Sequence, residues 1–344
     1  MISRCPARWT IVALALCVPV LSPSSASLGA QPSARQVRTW TDSTGTYTIE
    51  AEFLDFKDGK VRLRKQDGKQ ITLPIGKLSD ADRRFVERQL KGKPIPAGAM
   101  RELTVDLGRG VKLEMALIPA GEFLMGSPES DKDAYSSEKP QHRVRITKPF
   151  YLGKYLVTQQ QWEAIMGNDP SHFEVMKNPV EQVSWNDCQQ FLDKLNAKPH
   201  PGGGKFRLPT EAQWEYACRA GSTTRYGYGD DESGLGEYAW YGKNSDNKPH
   251  PAGWKRPNAW GLYDMHGNVW EWCADWFDGG YYAHSPADDP PGPATGVDRV
   301  LRGGCWSDQA AFCRSARRYF DGPRGRSASL GLRICKTLPD RPGE

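Results

Sequence analysis

The sequence lacks both a strong net charge and a long apolar run. Over 344 residues the formal net charge is +5, and the basic excess lies in the N-terminal part, where acidic residues interrupt it. A balance this weak does not favour nucleic acid as a partner. The apolar stretch from Thr10 to Leu21 is shorter than the ~20 residues that a membrane-spanning helix needs. We therefore expect neither nucleic-acid binding nor a transmembrane segment.

Histidine-based metal sites and phosphate loops are also missing. The six histidines are scattered without the spacing of metal ligands. His266 is more typical of a surface turn than of a catalyst. The segment from Gly202 to Lys205 is glycine-rich but lacks the Walker pattern, which predicts a flexible loop.

The first 26 residues have the pattern of an export signal. Arg4 and Arg8 precede the apolar stretch, and Ser24 to Ala26 supplies small residues at a cleavage point. We expect residues 1–26 to be removed and the protein to be periplasmic or extracellular. Six of the eight cysteines would remain, and in an exported chain an even number favours disulfides. The remaining cysteines are Cys188, Cys218, Cys273, Cys305, Cys313 and Cys335.

Residues 37–90 form a first unit. Apolar residues alternate with polar ones in three runs, with Asp58-Gly59 and Asp67-Gly68 at the turns between them, which predicts antiparallel strands. Ser79, with Asp82 three residues on, predicts the start of a short helix. Residues 91–100 are rich in proline and glycine and predict a linker.

Residues 101–338 are expected to form one α+β domain with little regular structure. Three capping signatures predict helices that begin after Thr158, Ser184 and Thr210. Long stretches rich in glycine, proline, asparagine and tryptophan separate them. The tryptophans could stack on sugars, but in such a domain they more often form the core.

The segment from Pro257 to Trp272 is the most informative part of the chain. Asp264 and Glu271 can supply charged oxygens, and the backbone between them can supply neutral ones. Such a set suits calcium, which takes six to eight oxygen ligands. The alternative is that both carboxylates only accept hydrogen bonds from the loop.

The first unit resembles the Sla-type homology domain, an SH3-like barrel. The resemblance rests on Arg38 to Asp42, Phe56 to Val61 and Leu73 to Ser79. Members of that family in endocytic adaptors bind short peptide motifs, which implies a binding role. A structural spacer is an equally open interpretation, since a fold does not fix a function.

The second unit resembles the formylglycine-generating enzymes, also called sulfatase-modifying factors. This resemblance implies a C-type-lectin-like fold over residues 101–336. The segments that carry it are Ile118 to Ser127, Pro179 to Trp185, Arg207 to Ala217, Pro257 to Trp272, Arg302 to Trp306 and Gly331 to Arg333. Enzymes of this family use copper and oxygen to convert a cysteine within a Cys-x-Pro-x-Arg segment of an exported sulfatase into formylglycine.

The chain departs from that family at the copper-binding cysteines. Copper(I) prefers soft thiolate ligands, and the enzymes carry two cysteines separated by four residues after the Arg-Gly-Gly-Ser signature. Here Cys305 replaces the serine and Cys313 stands eight residues further on. One interpretation makes them a displaced copper or redox pair in a groove beside Trp270. The other makes them ordinary disulfide cysteines.

The resemblance also implies structural pairs and metal ligands. Cys188 with Cys335, and Cys218 with Cys313, would lie close to disulfide positions of the family, leaving Cys273 and Cys305. The implied calcium ligands are the side chains of Asp264 and Glu271 and the carbonyl oxygens of Gly267 and Val269. A second calcium site would be degraded, because Trp240 replaces an asparagine, unless Asn244 and Asp246 compensate.

Two functions therefore remain open. The first is a non-catalytic, calcium-stabilised binding module that recognises an exported protein or peptide, for example a sulfatase. The second is a copper- and oxygen-dependent oxidase of the formylglycine-generating kind. A ligand-binding module attached to a signalling system is a third possibility. The unmatched cysteine pair favours the first.

Overall fold

The N-terminal unit is a four-stranded antiparallel sheet. The computed structural model describes residues 37–42, 46–57, 60–74, 77–79, 82, 85–86 and 102–339. The expected export signal (1–26) and linker (91–100) lie outside them. The strands are β1 (Val37–Thr41), β2 (Thr48–Lys57), β3 (Lys60–Lys65) and β4 (Gln70–Pro74), paired in chain order.

Alternating apolar residues of these strands form a small core. Trp40, Val61 and Leu63 are buried together with Leu78, as the period of two along the strands predicts. The predicted capping interaction is present, since the Asp82 backbone N–H donates to Ser79 Oγ at 3.2 Å.

The C-terminal domain contains three further sheets. Their orders are β10-β15-β9-β6-β5, β13-β12-β11-β14 and β7-β8. All described strand pairs are antiparallel except β11 with β14. The strands are β5 (Glu102–Gly108), β6 (Val111–Ile118), β7 (Gly121–Met125), β8 (His142–Ile146), β9 (Phe150–Gly153), β10 (Phe206–Arg207), β11 (Trp270–Trp276), β12 (Arg299–Arg302), β13 (Arg318–Asp321), β14 (Leu330–Gly331) and β15 (Cys335–Thr337).

Three α-helices pack against these sheets, and each begins where its capping signature predicts. Their bounds are α1 (Gln159–Met166), α2 (Trp185–Asn196) and α3 (Glu211–Arg219). In all three, the cap side chain accepts from the backbone three residues on, and that residue's side chain accepts in return. The mixture of mainly antiparallel sheets and few helices confirms an α+β domain.

Tryptophans form much of the core, as predicted in preference to a role in stacking on sugars. Trp162, Trp214 and Trp272 are buried, and Trp162 stacks on Phe191 with ring centroids 5.0 Å apart. None of the helices within the described residues has the length and apolarity to cross a membrane.

Candidate functional site

The Pro257 to Trp272 segment is a buried loop that leads into β11. Two of its residues, Asp264 (φ 60°) and Asn268 (φ 71°), adopt the left-handed conformation, which polar asparagine and aspartate tolerate better than most residues. The Asn268 side chain accepts from His250 N at 3.0 Å and donates to His250 O at 2.9 Å. The loop is therefore held by side-chain contacts to backbone rather than by a regular ladder.

Asp264 is buried at the start of this loop with few partners. Its Oδ2 accepts from the Gly253 backbone N–H at 2.7 Å, and Asn268 Nδ2 lies 3.4 Å from Oδ1. Burial raises the pKa of this carboxyl to about 6. A cation beside it would favour the ionised form.

Glu271 lies on β11 and is paired with the cationic side chain of Arg333. Arg333 donates to Glu271 Oε2 from Nε at 2.9 Å and to Oε1 from Nη2 at 2.7 Å, and Trp214 Nε1 donates to Oε2 at 2.7 Å. All three residues are buried. The two-pronged geometry makes this a strong charge-assisted pair.

The predicted calcium ligands lie on this one continuous segment. The backbone must pass close to Trp240, because a Cβ added at Gly267 would lie 2.3 Å from Trp240 O. Carboxylate and carbonyl oxygens, as this loop supplies, are the ligand types that calcium prefers. A calcium ion here would bind a Glu271 carboxylate that is also paired with Arg333. No cluster of three or more His, Cys, Asp or Glu side chains within the described ranges could hold a metal, so any cation here depends on carbonyl oxygens.

At Trp240, where the resemblance implies a degraded second calcium site, a lysine lies against the ring. Lys255 Nζ is 3.8 Å from the centre of the Trp240 ring and donates to Gly236 O at 2.6 Å. Asn244 is held by the nearby backbone, since its Nδ2 donates to Ala239 O and its Oδ1 accepts from Tyr241 N, both at 2.9 Å.

Cys305 and Cys313 are both buried. They lie near one another, since a Cβ added at Gly304, the residue before Cys305, would lie 2.7 Å from Cys313 Sγ. Cys305 Sγ lies 3.2 Å from Ser307 Oγ, and the Cys305 backbone N–H donates to Asp308 Oδ2 at 2.9 Å. Burial raises the pKa of the Cys305 thiol to about 12 and that of Cys313 well above its usual value.

The predicted disulfide pairs are not bonded in this structure. All six cysteines of the described residues are free and buried. Cys218 Sγ contacts Met265 O at 3.5 Å, and Cys335 Sγ contacts Gln213 Oε1 at 3.8 Å. Cys218 Sγ also lies 3.8 Å from His266 Nε2.

His266, which the sequence suggested as a surface turn residue, is buried. Its Nε2 accepts from the Gly227 backbone N–H at 2.9 Å, and Nδ1 lies 2.8 Å from Cys313 O, to which it donates. Burial lowers the pKa of this histidine to about 4. A neutral imidazole therefore joins three loops, and the motif pattern gave no sign of this role.

Buried ion pairs between distant residues were also absent from the sequence interpretation. Arg318 Nε and Nη2 donate to Glu211 at 2.7 and 2.9 Å. Arg302 is paired with both Glu211 and Glu215. Burial opposes ionisation of Glu215, yet Arg219 and Arg302 hold its pKa below the usual value. The capping signature of α3 placed Glu211 at the start of a helix. It gave no indication that Arg302 and Arg318 pair with Glu211 in the core.

A polar cavity of about 490 Å³ lies apart from Trp270, between residues 127–133 and 223–230. Two of its buried arginines already have protein partners. Arg314 donates to Glu138, and Arg219 to Glu215. Neither of these two arginines offers an unpaired charge to a ligand.

Comparison with protein families identifies both units. Residues 108–338 match the sulfatase-modifying factor enzyme 1-like domain, and residues 29–93 match the SLA1 homology domain 1. The chain belongs to the sulfatase-modifying factor family. Both predicted resemblances are thereby confirmed.

Relatives within the family carry different names. The chain is 32% identical over 308 residues to a formylglycine-generating enzyme of Streptomyces coelicolor, covering 70% of this chain and 95% of that one. It is 33% identical over 245 residues to the serine/threonine-protein kinase pkn1 of Chlamydia pneumoniae. That match covers 65% of this chain but only 38% of the kinase. Membership of the family therefore does not decide the reaction.

Solved structures show the same fold. Treponema denticola variable protein 1 superposes with a TM-score of 0.63 at 33% identity, and PvdO from Pseudomonas aeruginosa with 0.62 at 29%. Each comparison covers 70% of this chain and 100% of the other.

Proposed function

We propose that this protein is a non-catalytic binding module of the sulfatase-modifying factor family, exported to the periplasm or the extracellular space. The observation that supports it best is the state of the two cysteines nearest the family's copper position. Cys305 stands where the enzymes carry a serine, and Cys313 follows eight residues later instead of completing a pair separated by four residues. Copper(I) is held by two soft thiolate ligands, and the position of that pair in the enzymes is not matched here.

The proposed architecture has two binding units. The domain at residues 102–339 would be a C-type-lectin-like module whose partner is an exported protein or peptide, a sulfatase among the candidates. The N-terminal sheet would close as an SH3-like barrel and bind a short peptide. Calcium held by Asp264, Gly267, Val269 and Glu271 would stabilise the loop before β11.

The test of this proposal is an activity assay. The purified protein is incubated with copper(I), oxygen and a Cys-x-Pro-x-Arg peptide, and the peptide aldehyde is measured by mass spectrometry. The formylglycine-generating enzyme of Streptomyces coelicolor serves as the positive control. We expect no aldehyde above the level without protein, and turnover at the rate of the control would contradict the proposal.

The alternative is the oxidase, and one observation favours it. The 32% identity to the Streptomyces enzyme extends over 95% of that enzyme's length. If aldehyde forms and is lost in the Cys305→Ser variant but not in Cys188→Ser, the oxidase interpretation replaces the binding module. Cys188 is a suitable control because it is equally buried on α2.

A calcium titration tests the cation. We expect a chelator to lower the melting temperature of the wild-type protein and added calcium to restore it. A melting temperature that changes with neither the chelator nor calcium would count against the assignment of these residues as calcium ligands.

A further inference from the structure

Arg317 is a buried cation whose hydrogen-bonding capacity is not used. Only 6% of its surface is exposed, and its Nε has no hydrogen-bond partner among the described residues. The carboxylate paired with it, Glu138, is 3.7 Å away between Oε1 and Arg317 Nη1. That distance is too long for a hydrogen bond.

Glu138 cannot compensate for this charge because it is committed to another arginine. Arg314 donates to Glu138 Oε2 at 2.7 Å and to Oε1 at 3.0 Å. The nearby Asp308 accepts from the Cys305 backbone N–H at 2.9 Å. A buried N–H donor without a partner, as Arg317 Nε is here, is costly. Arg317 therefore lacks the planar acceptor that its neighbour Arg314 has.

Exposed aromatic rings surround this arginine. Its Cζ lies 3.8 Å from the centre of the Tyr135 ring, 5.0 Å from Phe312 and 6.0 Å from Tyr319. Tyr135 is 48% exposed and Tyr319 is 43% exposed. We name these three rings, Tyr135, Phe312 and Tyr319, the aromatic face. It adjoins Trp270, since the Tyr319 ring packs on the Trp270 ring with centroids 5.1 Å apart.

The aromatic face includes a sheet edge. β13, which contains Tyr319 and Phe320, is the outer strand of its four-stranded sheet within the described residues. An outer strand has backbone N–H and C=O groups free on one side and can pair with an added strand. An extended peptide can use that edge, whereas an oligosaccharide has no backbone to match it.

We propose that the aromatic face binds an extended peptide segment of a partner protein, with a glutamate or aspartate side chain on Arg317 beside an aromatic residue. The carboxylate supplies the two in-plane acceptors that a guanidinium fork matches. The aromatic neighbour packs on Tyr319, and the peptide backbone lies along β13. This inference rests on the proposed function as a binding module and specifies the chemistry of its partner.

The experiment uses paired peptides on the full chain. Acetylated, amidated pentapeptides with a central glutamate between aromatic residues are compared with otherwise identical glutamine peptides, and binding is measured by calorimetry. We expect the wild-type protein to prefer glutamate by about tenfold or more, as a charge-assisted bidentate pair would give. Equal affinity for the two peptides, or no measurable binding of either, would overturn the proposal.

Variants separate the charge from the rings. Arg317→Gln should abolish the preference for glutamate, and Arg317→Lys should retain only part of it because the fork is lost. Tyr319→Ala should weaken both peptides, and Arg324→Gln, at an exposed arginine, should change neither. A preference that survives Arg317→Gln would refute the assignment. Binding of a glucuronic acid oligosaccharide without peptide binding would refute the peptide occupant.

The failure of this inference can be told from failure of the proposed function. Aldehyde formation on the Cys-x-Pro-x-Arg peptide contradicts a non-catalytic module, whatever the glutamate peptides do. If the wild-type protein shows no preference for glutamate and forms no aldehyde, only the inference about the aromatic face and Arg317 is contradicted.

Discussion

Replacing Glu271 by glutamine should destabilise the protein strongly. Glu271 and Arg333 are both fully buried and joined by two hydrogen bonds of 2.7 and 2.9 Å. Glutamine keeps the shape but removes the negative charge, and it leaves Arg333 charged in the core. Removing one partner of a buried ion pair costs about 3–5 kcal/mol.

Part of that cost is offset in this structure. Arg333 also donates to the carbonyl oxygens of Gly153, Lys154 and Tyr263 at 2.8 to 3.1 Å, and glutamine Oε1 can still accept from Trp214. We therefore expect a loss of stability at the lower end of this range, about 3 kcal/mol. For a domain of this size, that loss corresponds to a fall of roughly 6–12 °C in melting temperature.

The assay is urea and thermal unfolding followed by tryptophan fluorescence. Glu122→Gln is the matched control, because Glu122 pairs with Arg143 in an exposed contact of 2.9 Å that should contribute less than about 1 kcal/mol. If the two variants lose the same stability, burial does not determine the strength of the Glu271 pair. Repeating both with a chelator tests calcium, since a cation shared by Glu271 should leave the variant less responsive than the wild type.

Three other predictions follow from the described contacts. Burial raises the pKa of Asp275 to about 8, so the folded state holds a proton that the unfolded chain releases above about pH 4. The free energy of unfolding should therefore fall as pH rises from about 5 to 8, by up to ~1.4 kcal/mol per pH unit. Urea unfolding of Asp275→Asn should show a smaller fall. An equal fall in both proteins would contradict this assignment. Because the six cysteines are buried and free, a maleimide should label them only after unfolding, and rapid labelling of the folded protein would contradict their burial. Gly267→Ala should lower the melting temperature more than Gly279→Ala, where the nearest atom to an added Cβ, Ser137 Cβ, is 3.8 Å away. Thermal unfolding measures both variants, and similar losses would argue against a close approach of Gly267 to Trp240.

Local signals were enough to predict the helices and the small N-terminal strands. The capping boxes at Thr158, Ser184 and Thr210 depend on residues three apart, so the sequence contains the whole interaction. α3 ends at Arg219, and both residues that follow it, Ala220 (φ 46°) and Gly221 (φ 92°), have positive φ angles.

The electrostatics of the site could not be predicted in this way. Arg333 pairs with a carboxylate 62 residues earlier, and Arg314 with one 176 residues earlier. No local pattern joins such residues, because the sheets and loops bring them together only after folding. The calcium pattern at Asp264 and Glu271 was visible because both residues lie on one short segment. The arginine that pairs with Glu271 was not visible because it lies 62 residues away.

The long-range ion pairs have a consequence for how the chain folds during synthesis. The acidic partners Glu138, Glu211 and Glu215 come early, whereas Arg302, Arg314 and Arg318 come from the last part of the chain. A nascent chain without that part would have to leave these carboxylates hydrated. Contacts of such high sequence separation also slow folding. The domain should therefore stay open until synthesis is nearly complete.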